Sequence, residues 1–175
     1  VQTCALPILG HLLDFSPDGR RLAYAAASGS NPVQLYVRAM DAFEAVPLAG
    51  TDNAYNPFFS PDGQWVAFFN GVGLHKISVN GGAPVFLCKA SNSMGGSWGD
   101  DGSIVFTPNP NVGAEVMRVS STGGLPEPAT TLTGEEVTHR WPQMLPGAVG
   151  ILYTASATNT GPYDAANVAV QPLPS

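Results

Sequence analysis

Residues 14–24 read DFSPDGRRLAY, and the same pattern returns at residues 58–68 as FFSPDGQWVAF. A weaker third copy, SWGDDGSIVF, occupies residues 97–106, and a degenerate fourth copy begins at residue 141 with WPQMLPG. Each copy has an aromatic anchor, then a turn, then an apolar run. The anchors, spaced 44, 39 and 43 residues apart, are Phe15, Phe59, Trp98 and Trp141. A period of about 40–45 residues built from short strands is typical of a β-propeller with one four-stranded blade per repeat.

The Ser-Pro-Asp-Gly turn has a physical role at the start of each repeat. Ser suits the first position of a type I turn, Pro fixes φ at the second, Asp is tolerated at the third and Gly accepts a positive φ. A type I turn followed by a left-handed Gly makes a hairpin with a bulge, so it should join the first strand of a blade to the second. The predicted second strands, such as residues 65–69 and 104–106, are continuous apolar runs that suit central strands covered on both faces.

Two further strands complete each predicted blade. Mixed third strands are predicted at residues 34–38, 74–79 and 116–119. Short fourth strands, with Pro at their edges to limit further pairing, are predicted at residues 46–48, 85–87 and 130–132. The fold class is therefore all-β, a β-propeller fragment of about four blades of four antiparallel strands with the last blade incomplete. The blades are expected at about residues 9–50, 51–89, 90–133 and 134–175. A two-sheet sandwich is the main competing fold, but it does not predict a 40-residue period.

The first residues of the chain differ from the rest. Residues 1–8, VQTCALPI, look like the translation of a short-read sequencing adapter, so we expect them not to be native and exclude them from the fold. Cys88 is then the only native cysteine, and no intrachain disulfide is expected. Both ends are expected to be truncated, with the outer strand of the last blade falling near or beyond Ser175.

The composition excludes two classes of partner. The chain has a formal net charge of −6 and only seven Lys and Arg residues, whereas a nucleic-acid surface needs clustered basic groups. No apolar run approaches the roughly 18–20 residues that cross a bilayer. We therefore expect no nucleic-acid partner and no membrane segment in these residues.

The two FSPDG copies resemble the WD40-like repeat of the TolB family, and this resemblance extends from about Leu12 to the end of the chain. Other stretches are similar to the C-terminal propeller of bacterial receptor-type serine/threonine protein kinases: LYVR at 35–38, PLAGT at 47–51, GAPV at 82–85, GGSWG at 95–99 and HRWPQ at 139–143. In those kinases a cytoplasmic kinase domain is followed by a membrane helix and an extracytoplasmic propeller. None of the kinase motifs occurs in this sequence.

Some residues resemble catalytic or metal-binding groups but have simpler explanations. GGSWG at residues 95–99 matches the nucleophile elbow of α/β-hydrolases, but a turn and a strand follow where that elbow needs a helix. His11, His75 and His139 fall in different repeats, and we interpret His75 as solvent-facing and His139 as packed on an aromatic ring. Asp at the repeated turns caps its own backbone. No catalytic residue, metal or cofactor is therefore predicted.

The loops that lead into the innermost strands are the best candidate for a binding surface, because they surround the channel of a propeller. They carry a mixed polar and aromatic set: Asp52, Asn53, Tyr55, Asn92, Met94, Glu136, His139 and Arg140. We predict a non-catalytic binding or sensing segment of a larger bacterial protein, whose partner is a protein, a peptide or a small ligand. By resemblance it is the extracytoplasmic part of a serine/threonine kinase. The alternatives are a periplasmic TolB-like interaction scaffold and the propeller of a prolyl-oligopeptidase-like serine peptidase.

Overall fold

Four antiparallel sheets follow one another along the chain, one for each repeat. The computed structural model describes residues 13–109, 114–158 and 165–173. The chain divides into two compact units, Val1–Phe86 and Leu87–Ser175. Residues 1–8 and His11, which carried two of the expectations above, lie outside the described residues.

The first two sheets are four-stranded and their strands pair in chain order. The strands of blade 1 are β1 Leu13–Phe15, β2 Arg21–Ala26, β3 Gln34–Ala39 and β4 Val46–Pro47. The strands of blade 2 are β5 Tyr55–Phe59, β6 Trp65–Phe69, β7 Gly73–Ser78 and β8 Val85–Lys89. The second strands are buried or half-buried along their length, as their apolar sequences predict.

The last two sheets have the same antiparallel order. The strands of blade 3 are β9 Gly96–Trp98, β10 Ser103–Phe106, β11 Met117–Ser120 and β12 Glu127–Pro128. The strands of blade 4 are β13 Thr138–Met144, β14 Gly150–Ser156 and β15 Asn167–Pro172. The prediction of an all-β chain of antiparallel blades is confirmed.

The Ser-Pro-Asp-Gly turn has the expected geometry. Gly19 and Gly63 take φ values of 68° and 65°, which side chains disfavour. The Ser16 hydroxyl donates to Asp18 Oδ1 at 2.6 Å and accepts from the Arg21 N–H at 2.9 Å. The bond from Ser16, followed by one from the Arg20 N–H, holds the pKa of Asp18 below its usual value. The hydrogen bonds of the turn therefore explain why Asp18 occurs at this position, as predicted.

The fourth repeat differs from its predicted alignment. Phe15 and Phe59 each end an inner strand, and the residue in that position in blade 4 is Met144, which pairs with Ile151. Trp141, the predicted anchor, lies three residues earlier with φ of 54°. The register shifts there because Pro142 follows and cannot donate to the ladder.

The same bulge occurs in blade 2. Asn56 takes φ of 48° before Pro57, and the register shifts between Tyr55 and Phe58. The outer strand of blade 3 was also misplaced, because β12 ends at residue 128, before the predicted 130–132. The backbone leaves the sheet there, and the Thr130 side chain is buried.

Each unit has its own apolar core. The core of the first unit joins both of its blades through Ala23, Ala25, Leu35, Val37, Leu48, Ala54, Phe59, Val66, Phe68, Ile77 and Val79. The core of the second unit contains Val105, Val116, Ile151, Tyr153 and Ala155. In both cores, the second strand of one blade packs on the second strand of the next blade.

Candidate binding loops

The predicted site residues are divided between the two units. Asp52, Asn53 and Tyr55 belong to the first unit. The second unit holds Asn92, Met94, Glu136, His139 and Arg140. The structure describes each group within its own unit.

Thr51 anchors the loop of the first unit. Its hydroxyl is fully buried, accepts from the Leu35 N–H at 2.9 Å and donates to the Leu48 carbonyl at 2.6 Å. Two residues after Thr51, the Asn53 N–H donates to the Val33 carbonyl at 2.7 Å, and Asn53 lies in the left-handed region with φ of 59°. These bonds hold the backbone on both sides of residue 52.

Two polar side chains are exposed on this loop, Asp52 and Asn53. Asp52 Oδ1 accepts from Gln34 Nε2 at 2.7 Å, so its carboxylate has a defined direction. Tyr55 is half-buried, and its ring lies 5.9 Å from that of Phe69. The loop therefore presents polar groups at its tip and an aromatic group at its base.

The Thr51 hydroxyl can be tested by substitution. Thr51→Val keeps the shape but leaves the Leu35 N–H and the Leu48 carbonyl without their buried partner, which should cost about 1–3 kcal/mol. Thr51→Ser keeps the hydroxyl and loses one methyl group, a loss of about 0.8 kcal/mol. Urea unfolding of both variants measures the difference. Equal losses in the two would show that the hydroxyl bonds do not hold this loop.

The first loop of the second unit is also fixed by a buried hydroxyl. Ser93 donates to the Thr107 carbonyl at 2.7 Å, and the Met94 N–H donates to the same carbonyl at 3.2 Å. Asn92 is exposed with φ of 55°, while Met94 is half-buried. The Met94 carbonyl accepts from the Trp141 N–H at 3.1 Å, so this loop is bonded directly to β13.

His139 is fully buried at the centre of a polar network in the second unit. Its Nδ1 lies 2.7 Å from Thr130 Oγ1 and its Nε2 lies 3.3 Å from Glu136 Oε2. The ring centroid of Tyr153 is 4.3 Å away. The prediction that His139 packs on an aromatic ring is confirmed, and the ring is that of Tyr153.

The hydrogen-bond partners of neutral His139 define its tautomer. An ionised carboxylate only accepts, so Nε2 must carry the hydrogen that points at Glu136. Nδ1 then accepts from the Thr130 hydroxyl, which itself accepts from the Val116 N–H at 3.0 Å. Every polar atom of the ring thus has a partner, and the buried imidazole is a structural group.

Glu136 connects this network to the surface. Its Oε2 accepts from the Thr133 N–H at 2.7 Å and from the Thr133 hydroxyl at 2.8 Å. These bonds, and next the one from His139, hold the pKa of Glu136 below its usual value. The side chain keeps 28% of its surface exposed. It is therefore an ionised acceptor with a fixed direction at the edge of its loop.

Arg140 is not on the surface. Only 5% of it is exposed, and its Nε donates to the Thr138 hydroxyl at 3.3 Å. Of the five candidates in the second unit, the structure joins Glu136 directly to His139. Arg140 adjoins them in β13, and the Asn92–Met94 loop reaches the same strand through Trp141.

Sequence reasoning missed the residues that hold the loops: Thr51, Ser93, Thr130, Thr133 and Tyr153. All but Tyr153 are hydroxyl residues near the end of a blade, where Ser and Thr commonly bond to the backbone. Thr51 and Thr130 each accept from the N–H of a residue at the start of a third strand, Leu35 or Val116. The signal in the sequence that could have found these two is a Thr that follows the fourth strand of the blade.

The apparent nucleophile elbow does not have the required structure. Ser97 lies in β9, and its hydroxyl accepts from the Met144 N–H at 3.0 Å. β9 pairs with β10 through the turn at Asp101 and Gly102, so no helix follows the serine. The interpretation of GGSWG as a coincidence agrees with this geometry. No cluster of three metal-binding side chains occurs among residues 13–109, 114–158 and 165–173.

His75 is not the solvent-facing residue that we expected. It is half-buried between the rings of Phe68, at 5.5 Å, and Phe86, at 5.3 Å. Burial lowers its pKa from 6.5, against a smaller opposing effect of the bond to the Gly73 carbonyl.

The shifted pKa of His75 predicts a loss of stability in mild acid. Below pH 6.5 the unfolded chain binds a proton that the folded chain does not, so stability falls as the pH drops from 6.5 through the folded pKa. His75→Phe keeps the stack and should make the free energy of unfolding less dependent on pH between 7.5 and 5.5. An NMR titration of the His75 ring checks the cause, and a pKa at or above 6.5 would contradict it.

The comparisons with known proteins identify the fold. No protein-family model and no curated protein matches this chain. Among solved structures, TolB from Acinetobacter baumannii matches 95% of this chain at 16% identity and a TM-score of 0.73, and this chain covers 41% of it. A TolB protein from Agrobacterium tumefaciens matches 81% at 17% identity and a TM-score of 0.69, with 52% of that protein covered.

A peptidase has a similar propeller. The puromycin-hydrolyzing peptidase of Mycobacterium tuberculosis matches 93% of this chain at 12% identity and a TM-score of 0.65, with 28% of the peptidase covered. The chain thus spans about half or less of each of these proteins. In the part of the chain that is described, no helix is long and apolar enough to cross a membrane. The sheets and these similarities together show that the chain has the fold of a TolB-like β-propeller.

Proposed function

We propose that this chain is a non-catalytic binding or sensing segment of a larger bacterial protein, and that its inner-strand loops contact the partner. The observation that carries this proposal is that exposed polar side chains stand on loops whose backbones are fixed by buried bonds. Asp52 and Asn92 are exposed, and Glu136 is a partly exposed third case. A loop that is already ordered loses less entropy when it binds, so rigid presentation favours recognition.

The backbone of the loops supports the same conclusion. Five described residues other than Gly have a positive φ, and Asn53, Asn56, Asn92 and Trp141 are four of them. All four lie in or just before an innermost strand. Backbone in this region is uncommon for residues other than Gly, and it concentrates at functional sites because surrounding structure must maintain it. The backbone in and just before the inner strands therefore takes a conformation that the surrounding structure must maintain.

The parent that we propose is a receptor-type serine/threonine kinase with this segment outside the membrane. The stretches at residues 35–38, 47–51, 82–85, 95–99 and 139–143 support the kinase, and the TolB-like fold supports an extracytoplasmic location. A periplasmic TolB-like scaffold would use the same loops with a secretion signal in place of the kinase. A peptidase propeller would require a separate α/β domain with its own nucleophile. This segment alone should catalyse neither peptide hydrolysis nor phosphorylation.

Substitution of these three loop residues tests the binding role. In the full-length parent, Asp52→Ala, Asn92→Ala and Glu136→Ala together should reduce capture of its partner from the extracytoplasmic fraction at least about tenfold, the equivalent of about 1.4 kcal/mol. His139 and Arg140 are left unchanged because both are buried.

A matched control removes two exposed acidic residues elsewhere, Asp41 and Glu44. Asp41→Ala and Glu44→Ala together should leave capture unchanged. Equal capture by the loop variant, the control and the unmodified parent would overturn the binding role of these loops.

A further inference from the structure

Asn70 and Gly71 lie in the turn that joins β6 to β7 in blade 2. The Asn70 N–H donates to the Gly73 carbonyl across this turn at 3.4 Å. Gly71 is exposed and Asn70 is half-buried. An Asn-Gly pair can lose ammonia without an enzyme, because the backbone nitrogen of the glycine can attack the side-chain carbonyl and no Cβ shields that nitrogen. The chain has two such pairs, Asn70-Gly71 and Asn80-Gly81.

The side chain of Asn70 is held by backbone N–H groups of its own turn. Its Oδ1 accepts from the Val72 N–H at 3.2 Å and from the Gly73 N–H at 3.3 Å. Both donors point at the oxygen on which negative charge develops when Cγ is attacked. Fixed N–H donors at such an oxygen stabilise the transition state of acyl transfer. The turn therefore activates the Asn70 amide as an electrophile.

The group that would attack this amide is the backbone nitrogen of Gly71. In the described part of the chain, the Gly71 N–H takes part in no hydrogen bond. An added Cβ at Gly71 would have no atom within 4 Å outside the adjoining residues, so the space around it is open. Because Gly71 is exposed, water can reach the ring that the attack forms. A nucleophile, an activated carbonyl and water are thus all available in one turn.

Asn80-Gly81 differs from Asn70-Gly71 at both reacting groups. Asn80 is exposed, and its side chain accepts no hydrogen bond from any residue that the structure describes. The Gly81 N–H donates to the Ser78 carbonyl at 2.9 Å, so its nitrogen must give up that bond before it can attack. The same chain therefore contains an activated and an unactivated pair of identical sequence.

We propose that Asn70 is a site of spontaneous deamidation. The Gly71 nitrogen forms a bond to Asn70 Cγ and loses its proton, while the bond from Cγ to Nδ2 breaks and Nδ2 leaves as ammonia. The product is a cyclic imide, a succinimide. Water then opens the ring at either carbonyl, which gives aspartate or isoaspartate at position 70. The steps together exchange the side-chain amide for a carboxylic acid, with one water consumed and one ammonia released.

The aspartate product fits the turn. Asp18, Asp62 and Asp101 also precede a glycine, and the Oδ1 of each accepts from the N–H two residues later, as Asn70 Oδ1 does. The product adds a negative charge at the end of blade 2 that carries Tyr55, because Tyr55 pairs with the residue before Asn70. The reaction therefore alters the charge beside a proposed binding loop, and its chemistry does not depend on that binding role.

Tryptic digestion separates the two Asn-Gly pairs, because Lys76 lies between them. Asn70 falls in the peptide 39–76 and Asn80 in the peptide 77–89. After incubation of the folded chain at mildly alkaline pH, mass spectrometry should show the acid forming in 39–76 at least about tenfold faster than in 77–89. In guanidinium chloride only the local sequence acts, so the two rates should converge.

Two variants are matched controls for this experiment. Asn70→Gln lengthens the side chain and disfavours ring closure, so the acid should disappear from the peptide 39–76. Asn80→Gln should leave the rate in that peptide unchanged. Equal rates in the two peptides of the folded chain, or an acid that fragmentation places at Asn53 or Asn56, would overturn the proposal. A rate at Asn70 that is lower in the folded chain than in guanidinium chloride would also overturn it, because the turn would then protect the amide.

Discussion

Phe68→Ala should lower the free energy of unfolding by about 3–5 kcal/mol, the range for removing a fully buried aromatic side chain. Phe68 has no exposed surface and lies in β6, the second strand of blade 2. Its ring contacts the apolar core that joins blades 1 and 2, and it also stacks on His75. The substitution therefore removes packing between the blades and within the sheet. Urea unfolding followed by circular dichroism measures the loss.

Phe43→Ala is the matched control for this substitution. Phe43 is 101% exposed, so its replacement should change the free energy of unfolding by no more than about 0.5 kcal/mol. Similar losses for Phe43→Ala and Phe68→Ala would contradict the assignment of β6 to a central strand covered on both faces.

His139→Ala should have an effect of similar size, about 3–5 kcal/mol, because it combines a cavity with a lost hydrogen bond. The ring is fully buried against Tyr153, and its Nδ1 is the acceptor for Thr130. Without the ring, the Thr130 hydroxyl loses a buried partner while still accepting from the Val116 N–H. Urea unfolding again measures the loss, and the tyrosine signal in near-UV circular dichroism should change with it.

Glu136→Gln tests the contribution of the Glu136 charge separately from that of the buried His139 ring. Gln retains an oxygen that can accept from Thr133 and His139, and the side chain is partly solvated, so the cost should stay below about 1 kcal/mol. If Glu136→Gln were as destabilising as His139→Ala, the charge of Glu136 would hold the loop, and the packing of His139 would be secondary.

The hairpin turn and the repeat period were sufficient to predict the architecture. The turn requires particular residues, so Gly19 and Gly63 could be assigned a positive φ from sequence, and the structure has it. The apolar runs of β6 and β10 could be placed because only central strands have both faces covered. These are local requirements, and local sequence satisfies them.

Positions that depend on tertiary contacts were harder to predict. Trp141 was assigned the anchor position because it is aromatic, whereas the bulge before Pro142 moves that position to Met144. His75 was assigned to the surface because its strand is mixed, but Phe86, from the next strand, covers it. Thr130 was assigned to an outer strand, whereas its side chain is buried and contacts His139.

The candidate site was predicted in part. The loops were identified from their place in the repeat, and Asp52, Asn53 and Asn92 are exposed on them. Sequence did not indicate that Arg140 is buried or that Glu136 is fixed by Thr133 and His139. The separation of exposed from buried polar groups depends on packing against other strands, which a periodic pattern does not specify.

The sequence of the complete gene on both sides of this segment is the most direct test of the proposed function. The receptor-kinase proposal predicts a membrane helix upstream, preceded by the Gly-rich loop, His-Arg-Asp and Asp-Phe-Gly motifs of a protein kinase. A secretion signal directly upstream would contradict it in favour of a periplasmic scaffold. A downstream α/β domain with a Gly-x-Ser-x-Gly elbow would contradict it in favour of a serine peptidase.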